Sequence, residues 1–235
     1  MKHDLSNMEF SSEDKNKIIE SVALFETLRK EYPHVRIIDL SLLYSVLPKE
    51  HIALVKRILA ISPKQYGFKG EYHGITEVPL DLVIVRRQYV PKTKKTISTG
   101  THFLPRAAYA AYHEMNRAML RDIDRKVFIE SGYRSCAYQL IIFLEYLISS
   151  GFDLRKTLKR VALPGYSEHG ASKRQAVDFI TIKEGKGKLP DFEKTKEYHW
   201  LIEYGNEFGF HLSYPKKNKL GIMFEPWHWH YERPK

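Results

Sequence analysis

The order of elements along the 235 residues predicts an α+β fold with a helical N-terminal extension. Three apolar stretches at helical spacing come before the first strand candidate, and the last two strand candidates stand together across a short turn, which makes an antiparallel hairpin. Between them, helical patterns alternate with short β-rich runs, and the chain is long enough to bury a substantial core.

Ser11 and Ser12 followed by Glu13 and Asp14 form a helix start, and Ile18, Val22, Phe25 and Leu28 then recur at helical spacing until Pro33. A second apolar stretch runs from Leu40 to Leu47; Pro48 breaks it before a third, carried by Ile52, Val55 and Leu59. We therefore expect residues 1–67 to form the helical extension and residues 68–235 one main domain. Ser62 to Pro79, rich in Gly, Pro and aromatics, reads as a loop, and Leu82–Val85 as a buried strand. The Lys/Thr/Ser-rich run through Thr101 is expected to be an exposed loop. Pro105 suits the first turn of a helix whose Ala108, Ala111, Met115, Ala118 and Met119 can pack against a sheet. Lys126 to Tyr133 alternates as a strand, and Ser131-Gly-Tyr-Arg-Ser135 turns it into a helix from Tyr138 to Ser149, closed by Gly151. Ala176–Ile182 is a further strand, and Asp191 is expected to cap a helix through Phe208, with Tyr198, Leu201, Ile202 and Phe208 facing inward. Phe210–Tyr214 and Ile222–Tyr231 complete the hairpin across Pro215–Gly221.

Composition narrows the function. Hydrophobic residues make up 43% and charged residues 28%, which excludes wholesale disorder, and no segment has the length of an apolar membrane span. The single cysteine, Cys136, excludes an internal disulfide and a cysteine-rich metal site; within its helical pattern it reads as a buried, inert thiol. A net charge of +10 favours acidic partners, yet the basic residues are scattered and the densest group, Lys92, Lys94 and Lys95, is small. Without a helix-turn-helix, zinc-finger or aromatic-stacking motif, nucleic acid is not an expected partner. The first thirty residues lack the basic start, apolar run and cleavage site of a secretory signal. The expectation is a cytoplasmic monomer if this is the full native product, and an extracytoplasmic one if an export signal has been removed.

Chemistry converges on Glu225-Pro-Trp-His-Trp-His-Tyr231, where an acid and two imidazoles lie among aromatic rings. Imidazole binds zinc, and a carboxylate close by that is not itself a ligand can take a proton from water, so this pair suits a hydrolytic metal site; the remaining ligands must come from elsewhere. Asp178 is a lone carboxylate in an apolar strand, costly to bury unless it is paired or bound to a cation, and His169 is a plausible co-ligand. Arg134, at a strand-to-helix turn, suits an anion or a polarised carbonyl, and equally a salt bridge to a neighbouring carboxylate. His34, His51, His73 and His113 are read as surface, boundary or packing residues.

Three segments, Ser131-Gly-Tyr-Arg-Ser135 with Gln139, Ser167-Glu-His169 followed by Ala176-Val-Asp178, and Glu225-Pro-Trp-His228, together resemble the zinc D-Ala-D-Ala carboxypeptidases of the VanY type, grouped with VanX-like dipeptidases. The resemblance runs from roughly Val78 to Tyr231. It implies a small central antiparallel sheet flanked by helices, and hydrolysis of a D-amino-acid-containing bond in peptidoglycan stem peptides or muropeptides. Whether that bond is D-Ala-D-Ala, an L,D bond or an internal cross-bridge stays open. It further implies that His169, Asp178 and His228 bind Zn²⁺, that Glu225 is the catalytic acid/base, that Arg134 contacts the substrate carboxylate or the polarised carbonyl, and that Ser167 and Gln139 line the cleft. Trp227 and Trp229 would form its wall or pack the core.

Two departures stand out against the family pattern Ser-x-His-x-x-Gly-x-Ala-x-Asp. His169 to Asp178 is nine steps, with Gly170 directly after the histidine, and His230 stands where many relatives carry an arginine. On a regular strand His228 and His230 share a face while Glu225 and His228 oppose each other, so both histidines could serve one metal. Proline at 226 relieves this through an edge or bulge, leaving His228 as ligand and His230 beside it or in the substrate wall. The alternative is a binding module for cell-wall peptide that keeps the fold but has lost the metal through the longer loop.

Overall fold

The computed structural model describes residues 8–171, 173–182 and 191–233. Its α+β fold falls into two compact units, each assembled from discontinuous stretches of chain. The first takes in the chain up to Val78, Ser135–Ser167 and Asn218–Met223; the second takes in Pro79–Arg134, Glu168–Lys217 and the chain from Phe224.

Among the described residues the first unit is helical: α1 (Ser12–Glu31), α2 (Leu40–Ser45), α3 (Lys49–Leu59), and then α5 (Cys136–Ser149) and α6 (Leu154–Leu158). Ser11 caps α1 through a reciprocal box with Asp14, and Ile18, Ser21, Phe25 and Leu28 form its buried face. The α5 segment, CAYQLIIFLEYLIS, is apolar on nearly every side, so it must be surrounded, and nine of its residues are buried. Phe25, Leu28, Leu43, Leu54 and Ile58 of the first three helices share one core with Leu140, Phe143, Leu144 and Leu147. The N-terminal helices therefore cover α5 rather than standing apart. His51, expected at a surface or boundary, is buried, with its Nδ1 3.1 Å from Ser21 Oγ.

The second unit holds every described strand: β1 (Leu82–Val85), β2 (Gln88–Val90), β3 (Lys95–Ile97), β4 (His102–Pro105), β5 (Phe128–Ser131), β6 (Gln175–Ile180), β7 (Phe210–Leu212) and β8 (His228–Tyr231). Its helices are α4 (Arg106–Ile123) and α7 (Lys196–Tyr204). The lysine-rich run is not a plain loop; β2 and β3 pair there as an antiparallel hairpin, its turn made possible by Lys94 in the left-handed region. Thr195, not Asp191, caps α7, because its hydroxyl accepts from the Tyr198 amide; Ile202 faces outward, about half exposed.

The main sheet is antiparallel, ordered β5-β6-β8-β7, and all six residues of β6 are buried. Its period of two sorts the residues by face: Val177, Phe179 and Trp229 pack in the core with Tyr112, Met115 and Met119 of α4 and Leu201 of α7, which leaves Asp178 and His228 on the other face. The expected strand Ile222–Tyr231 starts only at His228. Pro226 and Trp227 form a turn, closed by His228 N–H donating to Glu225 O at 3.1 Å, and Trp229 Nε1 donates to Pro226 O at 2.9 Å. Proline at the second position of such a turn has its φ already set, so Pro226 sits before the strand rather than at an edge or bulge within it.

One glycine fixes how β5 leaves the sheet. A Cβ on Gly132 would lie 2.3 Å from the Phe103 carbonyl oxygen, the same oxygen that accepts from Tyr133 N–H at 2.6 Å. Gly132→Ala is expected to destabilise the protein by about 1–3 kcal/mol, the usual range for overpacking a tight interior, and to lower the midpoint of denaturant unfolding. An unchanged midpoint would show that the backbone yields here.

Candidate metal centre

The site belongs wholly to the second unit and follows from strand register. Asp178 on β6 stands directly opposite His228, the first residue of β8, so the two side chains emerge side by side: His228 Nδ1 lies 3.0 Å from Asp178 Oδ1. Ser131 of β5 stands opposite Asp178 on its other flank. His169 comes from a short 3-10 turn, Glu168–Gly170, and its Nε2 lies 3.4 Å from Asp178 Oδ2. His169, Asp178 and His228, all buried, each offer one ligand atom, and these lie within 4.8 Å of one another. The longer loop between His169 and Asp178 does not keep them apart. Gly170 also has a local reason: a Cβ there would press to 3.2 Å from the Arg134 carbonyl oxygen.

The two imidazoles are held in opposite states. Burial and then the charge of Arg134 push His169 down to about 3, so its ring is neutral. Its Nδ1 lies 2.7 Å from the Gly132 carbonyl, which can only accept, so Nδ1 carries the hydrogen. Nε2 is then a bare lone pair, buried and without a hydrogen-bond partner, beside Asp178. For His228, burial opposes the charged form, but hydrogen bonds to Asp178 and Glu168 outweigh it and push the ring up to about 10. Tyr214 stacks on this ring with centroids 4.7 Å apart, and burial raises its own phenol well above the ordinary range.

Glu225 reaches the site through the Pro226–Trp227 turn, its Oε2 3.7 Å from His228 Nδ1. Arg134 donates its backbone N–H to the His169 carbonyl at 3.0 Å, so the residue is tied to the ligand turn. His230 is buried two residues along β8 from His228; its Nδ1 shares a hydrogen bond with Ser213 Oγ at 2.7 Å, away from the ligand cluster. Trp229 is core, and Trp227 packs partly buried against the same core. Ser167 and Gln139 belong to the first unit; both are buried there, and the Gln139 amide donates to the Ala162 carbonyl at 2.7 Å.

Sequence reasoning passed over four groups: Glu168, whose Oε2 lies 3.1 Å from His228 Nε2; Arg174, which donates Nε to Glu168 Oε1 at 2.7 Å; the Gly132 carbonyl; and Tyr214. Only Glu168 left a signal, as an acid adjoining a candidate ligand.

The VanY family, described as D-alanyl-D-alanine carboxypeptidase, matches residues 101–234, more than half of the chain. A D-alanyl-D-alanine carboxypeptidase of Enterococcus faecium is 33% identical over 106 residues, covering 44% of this chain and 29% of that protein. The bifunctional D-Ala-D-Ala dipeptidase and carboxypeptidase VanXYC of Enterococcus gallinarum is 31% identical over 113 residues, 46% of this chain and 57% of that protein. The matches thus span less than two thirds of either relative. Among solved structures, the LdcB LD-carboxypeptidase superposes with a TM-score of 0.57 at 26% identity, covering 72% of this chain and 77% of that one.

Replacing His169, Asp178 or His228 singly by alanine is expected to abolish uptake of a divalent transition metal, since three protein ligands are the usual minimum for a site with an open position. Equilibrium dialysis with elemental analysis reads this out; full uptake by any one variant would remove that residue from the ligand set.

Proposed function

Since the chain belongs to the VanY family of D-alanyl-D-alanine carboxypeptidases, we propose that it is a zinc-dependent carboxypeptidase hydrolysing a D-amino-acid-containing bond, D-Ala-D-Ala or L,D, of peptidoglycan stem peptides. One observation carries the metal: a buried, neutral His169 presents an unpartnered Nε2 to a cluster completed by Asp178 and His228. Two nitrogens and one carboxylate oxygen form a donor set that zinc accepts while keeping a fourth position open. A buried lone pair aimed at other ligand atoms has no structural use of its own, and this favours catalysis over a binding module that has lost its metal.

The chemistry zinc supplies when bound is polarisation of a carbonyl and acidification of water. The remaining work falls to the chain's own residues. Glu225, brought beside His228 by the turn, is the proton carrier: its carboxylate accepts a proton from the attacking water and hands it to the departing amine. Arg134 sits close enough for its charge to depress His169, and its guanidinium offers a planar, two-pronged donor to a substrate carboxylate or to the oxygen that gains charge during attack. His169 is held by its Nδ1 bond to the Gly132 carbonyl and Asp178 by its bond to His228, and neither exchanges protons with substrate.

Digestion of defined muropeptides, resolved by mass, with and without chelator, tests the reading. Release of a C-terminal D-amino acid that stops on zinc removal and returns on its restoration is expected; cleavage indifferent to chelator would refute zinc dependence.

Glu225→Gln is expected to retain zinc and to lose roughly 10²–10⁴ in kcat, the range for removing a positioned acid/base. Zinc loss in this variant would make Glu225 a ligand instead. If Arg134 binds the free terminus, amidating that terminus should weaken kcat/KM as much as Arg134→Ala does on the free acid, about 2–5 kcal/mol, and Arg134→Lys should not restore it, because lysine lacks the fork. Equal cleavage of free and amidated peptides would assign Arg134 to the oxyanion alone.

A further inference from the structure

We propose that Glu168 is a positioning residue: it holds His228 so that Nδ1, not Nε2, is the nitrogen offered to the metal, and Arg174 holds Glu168 in turn. The inference rests on the zinc reading above. Glu168 is buried, and its Oε2 lies 3.1 Å from His228 Nε2. A carboxylate only accepts, so Nε2 carries a hydrogen toward Glu168; Nδ1, 3.0 Å from Asp178, carries one as well in the charged ring, and it is this Nδ1 proton, on the side of Asp178 and His169, that a metal would displace. Left to itself an imidazole can present either nitrogen, and a ring turned over would carry its lone pair away from Asp178 and His169.

Glu168 is itself fixed. Its Oε1 accepts from Arg174 Nε at 2.7 Å, and Arg174 donates a second bond, from Nη1, to Glu232 Oε1, also at 2.7 Å. Glu232 lies 3.5 Å from His230 Nε2, His230 shares its Nδ1 bond with Ser213, and the Ser213 hydroxyl returns to Glu168. The five side chains are arranged as a ring that includes this buried carboxylate, although His230, whose Nδ1–H goes to Ser213, only adjoins Glu232 through Nε2. Such a group is tolerable only when its lone pairs are met, and here the geometry leaves one oxygen for His228 and the other for Arg174. The loop that lengthens the His169–Asp178 interval thus supplies Arg174 to this ring.

The test replaces Glu168 by glutamine, which keeps the shape but can offer its single oxygen to His228 or to Arg174, not to both. Zinc affinity, measured by competition with a chelator, is expected to fall roughly 10- to 100-fold, the usual effect of losing the partner of a ligating histidine. Nitrogen NMR of the zinc-loaded native protein should show His228 metal-bound at Nδ1 and protonated at Nε2, and the glutamine variant should lose that single state. Arg174→Met, at a side chain about one-third exposed and hence less disruptive to folding, should shift both readings in the same direction by less. The double variant should be no worse than Glu168→Gln alone, because the two act through one path. Native zinc binding with either variant unchanged in affinity and His228 signal overturns the inference alone, as does His228 bound through Nε2. A native protein that takes up no zinc sinks the proposed function and this inference with it.

Discussion

The register of β6 against β8 is the constraint on which the rest of the centre depends. With Asp178 opposite His228, both side chains leave the same face of the sheet, while Val177 and Trp229 enter the core on the other. A slip of one residue would send one of the pair into the core and bring an apolar residue to the site, so packing and chemistry specify the same alignment. The other member of the cluster needs no strand: the Glu168–Gly170 turn brings His169 up to Asp178 and is tied to the end of β5 through Gly132 and Arg134.

Electrostatics divide the two histidines in a way their similar burial does not suggest. His169 faces a carbonyl and the positive field of Arg134, which leave it neutral; His228 faces two carboxylates, which keep it charged. Burial alone would depress both. Each ring therefore has one nitrogen tied to an acceptor outside the ligand cluster, the Gly132 carbonyl for His169 and the Glu168 carboxylate for His228.

Much of the fold could be read from local signals. Ser11 with Asp14 marked a helix start, Pro33 and Pro48 marked stops, and the apolar run Ala176–Ile182 with its one carboxylate marked a strand, because these patterns depend on near neighbours alone. The hairpin partners were legible too, but not the place where β8 begins, since a turn at Pro226–Trp227 and a strand through it differ by one hydrogen bond that the residue types do not announce. In the β2–β3 segment, lysines and threonines read as loop although Lys94 in the left-handed region closes a tight turn. The ring around Glu168 was not legible at all: Glu168 and His228 lie 60 positions apart, and Arg174 to Glu232 spans 58, so only the sheet brings them together. The two departures from the family pattern, the longer loop and His230, looked unrelated in sequence and meet in that ring.

The place of β8 in the sheet also bears on biosynthesis. Last in chain order of the eight described strands, it is not added at an edge but inserted between β6 and β7, both of which leave the ribosome before it. Until His228–Tyr231 emerge, β6 and β7 lack the strand that joins them and the cluster lacks one of its three members. A nascent chain stalled anywhere upstream therefore lacks the complete cluster, whatever its N-terminal helices have achieved. Completion of the main sheet and of the cluster arrive in one step, with the emergence of His228–Tyr231.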